Sequence, residues 1–126
     1  MSKAGLELGY KGEEAACDFL KDHGYKIIKS NYRTKYGQID IVAKDKDVLC
    51  FIEVKSRRSD MFGLPEEAIS RLKQKQISKV AVMYLKQNRL VDSKARFDVI
   101  TILFNKGGFK VNLIKNAFEL EERYAY

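Results

Sequence analysis

Gly37-Gln38-Ile39-Asp40-Ile41-Val42-Ala43, the polar turn Lys44-Asp45-Lys46-Asp47, and Val48-Leu49-Cys50-Phe51-Ile52-Glu53-Val54-Lys55 form the stretch on which the fold turns. Two runs rich in β-branched and aromatic residues on either side of a short polar segment read as a β-hairpin. Side chains alternate along a strand, so Asp40 shares a face with Gln38 and Val42, and Glu53 shares one with Phe51 and Lys55. Pairing Ala43 with Val48 sets Asp40 opposite Phe51 and Gln38 opposite Glu53. Asp40, Glu53 and Lys55 then cluster on one face, with the two acids as diagonal neighbours. Two acids and a lysine among Val, Phe and Leu are costly unless a cation or a substrate partners them. The alternative is a cross-strand salt bridge on a solvated face, which contributes little.

Upstream of the hairpin, residues from about Gly9 to His23 carry a helical pattern that stops at Gly24. At 100° per residue, Ala16, Cys17, Phe19 and Leu20 share an arc; Glu14, Asp18 and Lys21 fall outside it. Glu13 falls inside, as a carboxylate aimed at the core or as an acid favoured near a helix start. Tyr25 to Arg33 reads as a first strand. It runs into Asn31-Tyr32-Arg33-Thr34-Lys35-Tyr36-Gly37, where aromatics interleave with the cations Arg33 and Lys35. Such a mixture can stack on bases and touch phosphates; tyrosines packing at a sheet margin would look the same.

Downstream, Ser56 to Gly63 is a polar loop in which Arg57 and Arg58 are candidate phosphate contacts, or a solvated turn. Pro65, with Glu66 and Glu67 after it, suits a helix start. That helix is expected to reach about Gln87, with Ile69, Leu72, Ile77, Val80 and Tyr84 as its apolar arc. Lys73 and Gln76 lie within the arc, able to reach toward the acids or to snorkel to the boundary. Arg71, Lys75, Lys79 and Lys86 lie outside it. Lys94-Ala95-Arg96 opens a strand over Phe97 to Phe104, and Gly107-Gly108 turns the chain into a last strand from Phe109 to Ile114. Asp98 pairs most simply with Arg96 or a backbone amide, a structural role. Asn116 to Tyr126 is expected to be a short helix.

Composition narrows the class. A chain of 126 residues, 45% hydrophobic with one proline, suits one compact domain over 1–126. The sequence has no apolar run near 18 residues and its first residues lack the apolar centre of a signal peptide, so no membrane partner is expected. A net charge of +7, from 24 basic and 17 acidic residues, favours a polyanion. Cys17 and Cys50 stand apart without a CxxC, and His23 is the single histidine, which excludes a zinc site. Free thiols fit a reducing, cytoplasmic setting.

The order helix, three strands, long helix, two strands, with acids in the first helix and the hairpin, resembles the restriction-endonuclease-like (PD-(D/E)xK) nucleases. Within them it resembles the YraN-type proteins, themselves similar to archaeal Holliday-junction resolvases. The likeness covers nearly the whole chain. It rests on Gly9-Tyr10-Lys11-Gly12-Glu13 with Ala16, Asn31-Tyr32-Arg33, Gly37-Gln38-Ile39-Asp40, and Phe51-Ile52-Glu53-Val54-Lys55-Ser56-Arg57. Phe62-Gly63, Lys73 and Arg96-Phe97-Asp98-Val99 extend it.

The resemblance implies an α/β fold with a mixed central sheet of about five strands flanked by helices. It also implies a Mg²⁺- or Mn²⁺-dependent DNA endonuclease, with branched or junction DNA among its substrates and a twofold dimer as its natural assembly. Asp40 and Glu53 would hold the metal, with Glu13 completing the site directly or through water. Lys55 would orient the attacking water or stabilise the transition state, and Lys73 would touch the phosphate or the carboxylates. One position departs from the pattern: YraN-type proteins usually carry Glu where this chain has Gln38, which removes a potential negative ligand. Two other readings stand beside the nuclease. One is a nucleic-acid-binding module that kept the fold but cleaves poorly. The other is an interaction domain whose charges are ordinary surface, which would show neither metal binding nor salt-sensitive DNA affinity.

Overall fold

A computed structural model of the protein describes residues 3–58 and 69–118, with side chains from Lys11 onward. Helix α1 (Lys3–Asp22) leads into β1 (Lys26–Thr34), β2 (Gly37–Asp45) and β3 (Val48–Arg58). Helix α2 (Arg71–Gln87) then precedes β4 (Ala95–Asn105) and β5 (Gly108–Phe118). The five strands lie side by side in sequence order, all antiparallel except the parallel pair β3–β4. A parallel pair needs a crossover, and α2 lies within it. The protein is therefore α/β, with one mixed five-stranded sheet and two helices, as expected.

Each helix covers one sheet face because the strands alternate. Val42, Leu49, Phe51 and Phe97 pack with Ile77, Val80, Tyr84 and Leu85 of α2. Ala43, Cys50, Ile52, Ile100 and Ile102 pack with Ala16 and Leu20 of α1. At Gly24 the backbone has φ +85°, so the chain leaves α1 through a conformation that glycine adopts without a Cβ penalty. Where α1 crosses β3, a Cβ on Gly12 would stand 1.8 Å from Ser56 Oγ and 3.1 Å from Ser56 Cβ. Gly12→Ala should therefore lever the helix off the sheet and cost about 1–3 kcal/mol, read as a lower urea midpoint at unchanged slope. A wild-type midpoint for Gly12→Ala would mean that Ser56 simply turns away.

Several sequence expectations shift. The central hairpin closes on Asp45↔Val48, not on Ala43↔Val48. Lys44 and Asp45 belong to the strand, and Lys46 (φ +56°) and Asp47 alone make the turn. Charge made that segment look like loop, but Arg96 reaches across to the Asp45 carboxylate at 2.9 Å and makes it compatible with a sheet. Because the slip is two residues, the slip by itself moves no side chain to the other face.

α1 begins at Lys3 and not near Gly9, while β1 begins one residue after Tyr25. Pro65, Glu66 and Glu67 lie outside the described residues, and α2 is capped by Ser70, whose Oγ accepts the Lys73 N–H. Leu72, placed on the apolar arc, is 78% exposed, since the buried residues of α2 begin only at Ile77. Asn116 to Phe118 continue β5 instead of opening a helix, because the Asn116 N–H is held by Asp98; residues 119–126 lie outside the described part.

Candidate active site

The corrected register changes how the acids meet. The β2–β3 ladder runs from Asp45↔Val48 to Ile41↔Ile52, and one step further stand Asp40 and Glu53, level with each other. Beyond that point β3 keeps only its β4 neighbour, out to Arg58↔Phe104. The Asp40 carboxylate takes over there: Oδ2 accepts the Val54 N–H at 2.8 Å. An acid has replaced a strand carbonyl at the end of the ladder, and a cleft opens beside it.

β2 is also irregular at this position. Ile39 packs on the α2 side with Tyr32, whereas Ile41 packs on the α1 side, so strict alternation breaks at Asp40. The neighbouring strand shows the same break, because Ser30↔Ile41 and Tyr32↔Ile39 are paired across Asn31, whose φ is +54°. Asparagine is among the residues that tolerate this left-handed conformation. Asn31 Nδ2 donates to Glu13 Oε2 at 3.4 Å, holding the α1 acid toward the sheet. Nothing in the spacing marks Asn31 for that role; its tolerance of positive φ and its place in Asn31-Tyr32-Arg33 are the hints the sequence holds.

Asp40 is 8% exposed and Glu53 7%. Glu53 points to the α2 side, where its Oε1 lies 3.6 Å from Lys55 Nζ and 3.8 Å from Lys73 Nζ. Burial first, and the neighbouring Asp40 carboxylate second, push the Glu53 carboxyl up to about 7, against the pull of both lysines. Two cations are thus insufficient to keep this acid in its ordinary range. Lys73 reaches over the sheet to the acids, one of the two orientations open to it from sequence.

Gln38 does not face Glu53, as the earlier register had it. Its Nε2 donates to Asp40 Oδ1 at 3.2 Å, so both Asp40 oxygens accept an N–H. A glutamate there would set a third negative charge against the pair. Here a neutral donor fixes Asp40 in orientation and limits the repulsion.

Glu13 and Asp40 line one open cavity of about 310 Å³ with Glu14, Cys17, Ser30 and Ile41. Glu13 does not join Asp40 and Glu53 closely: among the described residues, no three acids, histidines or cysteines converge tightly enough to enclose a metal. A divalent cation would still fit the donor set. Asp40 and Glu53 offer hard oxygens whose repulsion a cation would relieve, and Mg²⁺ keeps several waters in place of protein ligands. Glu13 then stands where it could take such a water.

The four predicted nucleic-acid contacts divide. Arg33 pairs with Gln38 at the β1–β2 margin and is exposed, and Lys35 is exposed on the following turn. Arg57 continues the face of Glu53 and Lys55; its Nε is buried without a hydrogen-bond acceptor among the described residues, a donor that an incoming phosphate oxygen could satisfy. Arg58 is exposed at the strand end. Among the described residues, no helix is long and apolar enough to cross a membrane. Burial pushes the Cys50 thiol up to about 12, which leaves it an inert core residue.

Fold and site together define an α/β sheet protein with a buried acid pair where its central hairpin comes apart, two lysines standing at one member of the pair, Glu53. The chain belongs to the uncharacterised protein family UPF0102, whose family model matches residues 12–102. That span includes Gly12, Glu13, Asp40, Glu53, Lys55, Lys73 and Asp98. A UPF0102 protein of Syntrophus aciditrophicus is 47% identical over 115 residues, covering 91% of either chain. One from Geobacter metallireducens is 46% identical over 120 residues, covering 95% of this chain and 98% of its own. Another, from Pelobacter propionicus, is 49% identical over 115 residues, covering 89% and 82%.

Proposed function

We propose that this protein is a divalent-metal-dependent nuclease of the restriction-endonuclease-like class that hydrolyses phosphodiester bonds in DNA. The observation that carries the reading is the buried Asp40–Glu53 pair with Lys55 and Lys73 on Glu53. A protein gains no stability from two carboxylates held together out of water, so the arrangement makes sense as a receptor for positive charge. Asp40 and Glu53 would hold Mg²⁺ or Mn²⁺, which when bound supplies Lewis-acid activation of water and charge neutralisation at the phosphoryl oxygens. Gln38 and the Val54 N–H keep Asp40 from turning away. Lys55, already at Glu53, would orient the nucleophilic water or meet the charge that develops on the phosphate. Lys73 would approach the same phosphate from α2, and Arg57 would clasp a neighbouring one through its unsatisfied Nε.

Positive net charge favours the substrate's approach, and that part of affinity should fall steeply with salt. The test is cleavage of labelled linear, flap and four-way-junction DNA with Mg²⁺ or Mn²⁺, beside EDTA and Glu53→Ala. Cleavage that needs metal and disappears in the variant is the expected result, and the preferred substrate shape comes from the same gel. DNA binding without cutting would hand the reading to a binding module, with Gln38→Glu as the next protein to make. Neither binding nor cutting would remove the nucleic-acid reading altogether.

A further inference from the structure

Tyr36 stands apart from the other tyrosines near the sheet. Tyr25, Tyr32 and Tyr84 are 5%, 9% and 6% exposed, each built into a core cluster, whereas Tyr36 is 41% exposed. It sits with Lys35 in the two-residue turn between Thr34 and Gly37. The turn is braced from within: the Tyr36 N–H donates to Thr34 Oγ1 at 3.1 Å, and that hydroxyl donates to the Gly37 carbonyl at 3.3 Å. Gly37 has φ +138° and lies so close to α2 that a Cβ there would be 2.7 Å from Gln76 Nε2. The tyrosine is therefore held on a rigid corner pressed against α2, not on a free loop.

Two ammonium groups attend the ring. Lys35 Nζ is 5.2 Å from its centroid and Lys79 Nζ, from α2, is 5.7 Å away. Lys73, Gln76 and Lys79 follow one another at three-residue spacing along α2, each step turning about 60° around the helix, so they wind from Glu53 to this ring. Six residues of helix rise span about 9 Å. That places Tyr36 about two to three nucleotides along a strand from a phosphate at Glu53.

On the nuclease reading, we propose that Tyr36 is a base-stacking platform, and that the protein takes DNA that is single-stranded or locally unpaired beside the scissile phosphate. A duplex covers both faces of its bases, so an aromatic on the protein surface finds only backbone there; an unpaired base offers a free π-face. The resident lysines do not prevent this. An exposed cation–π contact is worth a factor of about two to five in population, against about five to a hundred and fifty for stacking a base on an aromatic. A base therefore displaces the lysine from the ring, and the displaced ammonium lies where the adjoining phosphates run.

The experiment uses the full chain in EDTA, where no cleavage interferes, and short DNA single strands carrying 2-aminopurine, with the matching duplexes as controls. Wild type should bind the single strand and quench the probe at one position. Tyr36→Ala should lose the quenching and weaken single-strand binding by roughly ten- to a hundredfold, with an unchanged dependence on salt. Tyr36→Phe, which keeps the π-face, should retain both. Equal binding by wild type and Tyr36→Ala, or a Tyr36→Phe as weak as the alanine variant, would overturn the platform. Wild type that cuts duplex DNA with Mg²⁺ but shows no quenching would overturn the platform alone. Quenching by a protein that never cuts would uphold it and sink the nuclease.

Discussion

At pH 8 and without added metal, Glu53→Gln is expected to unfold at a higher temperature than wild type; on the proposed nuclease reading it should also lose metal-dependent cleavage by a factor on the order of 10³. The stability half follows from linkage. The folded protein raises the Glu53 carboxyl from 4.5 to about 7, so between those values the folded state binds more protons than the unfolded chain. Stability from this group is complete below about pH 4.5 and is lost as pH rises through 7. At about 1.4 kcal/mol per pH unit the loss approaches roughly 3 kcal/mol.

Glutamine imitates the protonated acid at every pH, and can donate to Asp40 as that acid would. The variant should therefore be flat across the window in which wild type declines, and at pH 8 the gap should be on the order of 10 °C. Mg²⁺ added to wild type should recover much of the difference, because a cation removes the repulsion that raised the carboxyl. The same cation should do little for the variant. Thermal unfolding from pH 4.5 to 8, with EDTA and then Mg²⁺, reads all of this. A wild-type curve that does not fall between pH 5 and 7.5 would show the acids to be better solvated than their 8% and 7% exposures indicate.

Arg96→Met should be the most destabilising single replacement on the opposite face of the sheet, by about 3–5 kcal/mol. Asp98 is fully buried and receives Arg96 Nε on both oxygens, at 3.0 and 3.1 Å. The same guanidinium donates through Nη2 to Tyr25 OH at 2.7 Å and to Asp45 at 2.9 Å. Burial works against the guanidinium's charge, but the hydrogen bonds with Asp98 and Asp45 outweigh it and hold Arg96 more firmly protonated than usual. Those Arg96 bonds in turn lower the Asp45 carboxyl.

Removing Arg96 strands a carboxylate that has no access to water and leaves it, among the described residues, only the Asn116 N–H, at 2.9 Å. Asp98→Asn in the same background should restore part of the loss, since the neutral amide needs no countercharge. Urea midpoints of the two variants decide it, and a loss under about 1 kcal/mol would mean that water reaches Asp98 once the arginine is gone. Asp98 was legible as structural in the sequence. Its two suggested partners, Arg96 and a backbone amide, both hold it at once.

What the sequence determined by itself is the order of the elements, the faces of the strands and the residue types of the site. Alternation assigned Cys50 and Ile52 to one face, Phe51 and Glu53 to the other; glycine at 24 and at 107–108 marked where elements end. These signals are local, because a pleat of period two and a helix of period 3.6 are written into neighbouring residues. Asp40, Glu53 and Lys55 were legible on the same ground, as charges where the pattern asks for apolar side chains.

The tertiary structure alone decided the rest. Asp45 belongs to a strand because of an arginine 51 positions away, and that moved Asp40 level with Glu53. The break in alternation at Asp40, on the cavity it shares with Glu13, is matched by Asn31 in the adjacent strand, and Leu72 is exposed because α2 becomes buried only beyond it. Lys73 could be seen near a core-facing arc, but its place at Glu53 depends on how α2 crosses the sheet. Register, burial and the carboxyl of Glu53 are sums over contacts between residues distant in the chain, and no local period carries that information.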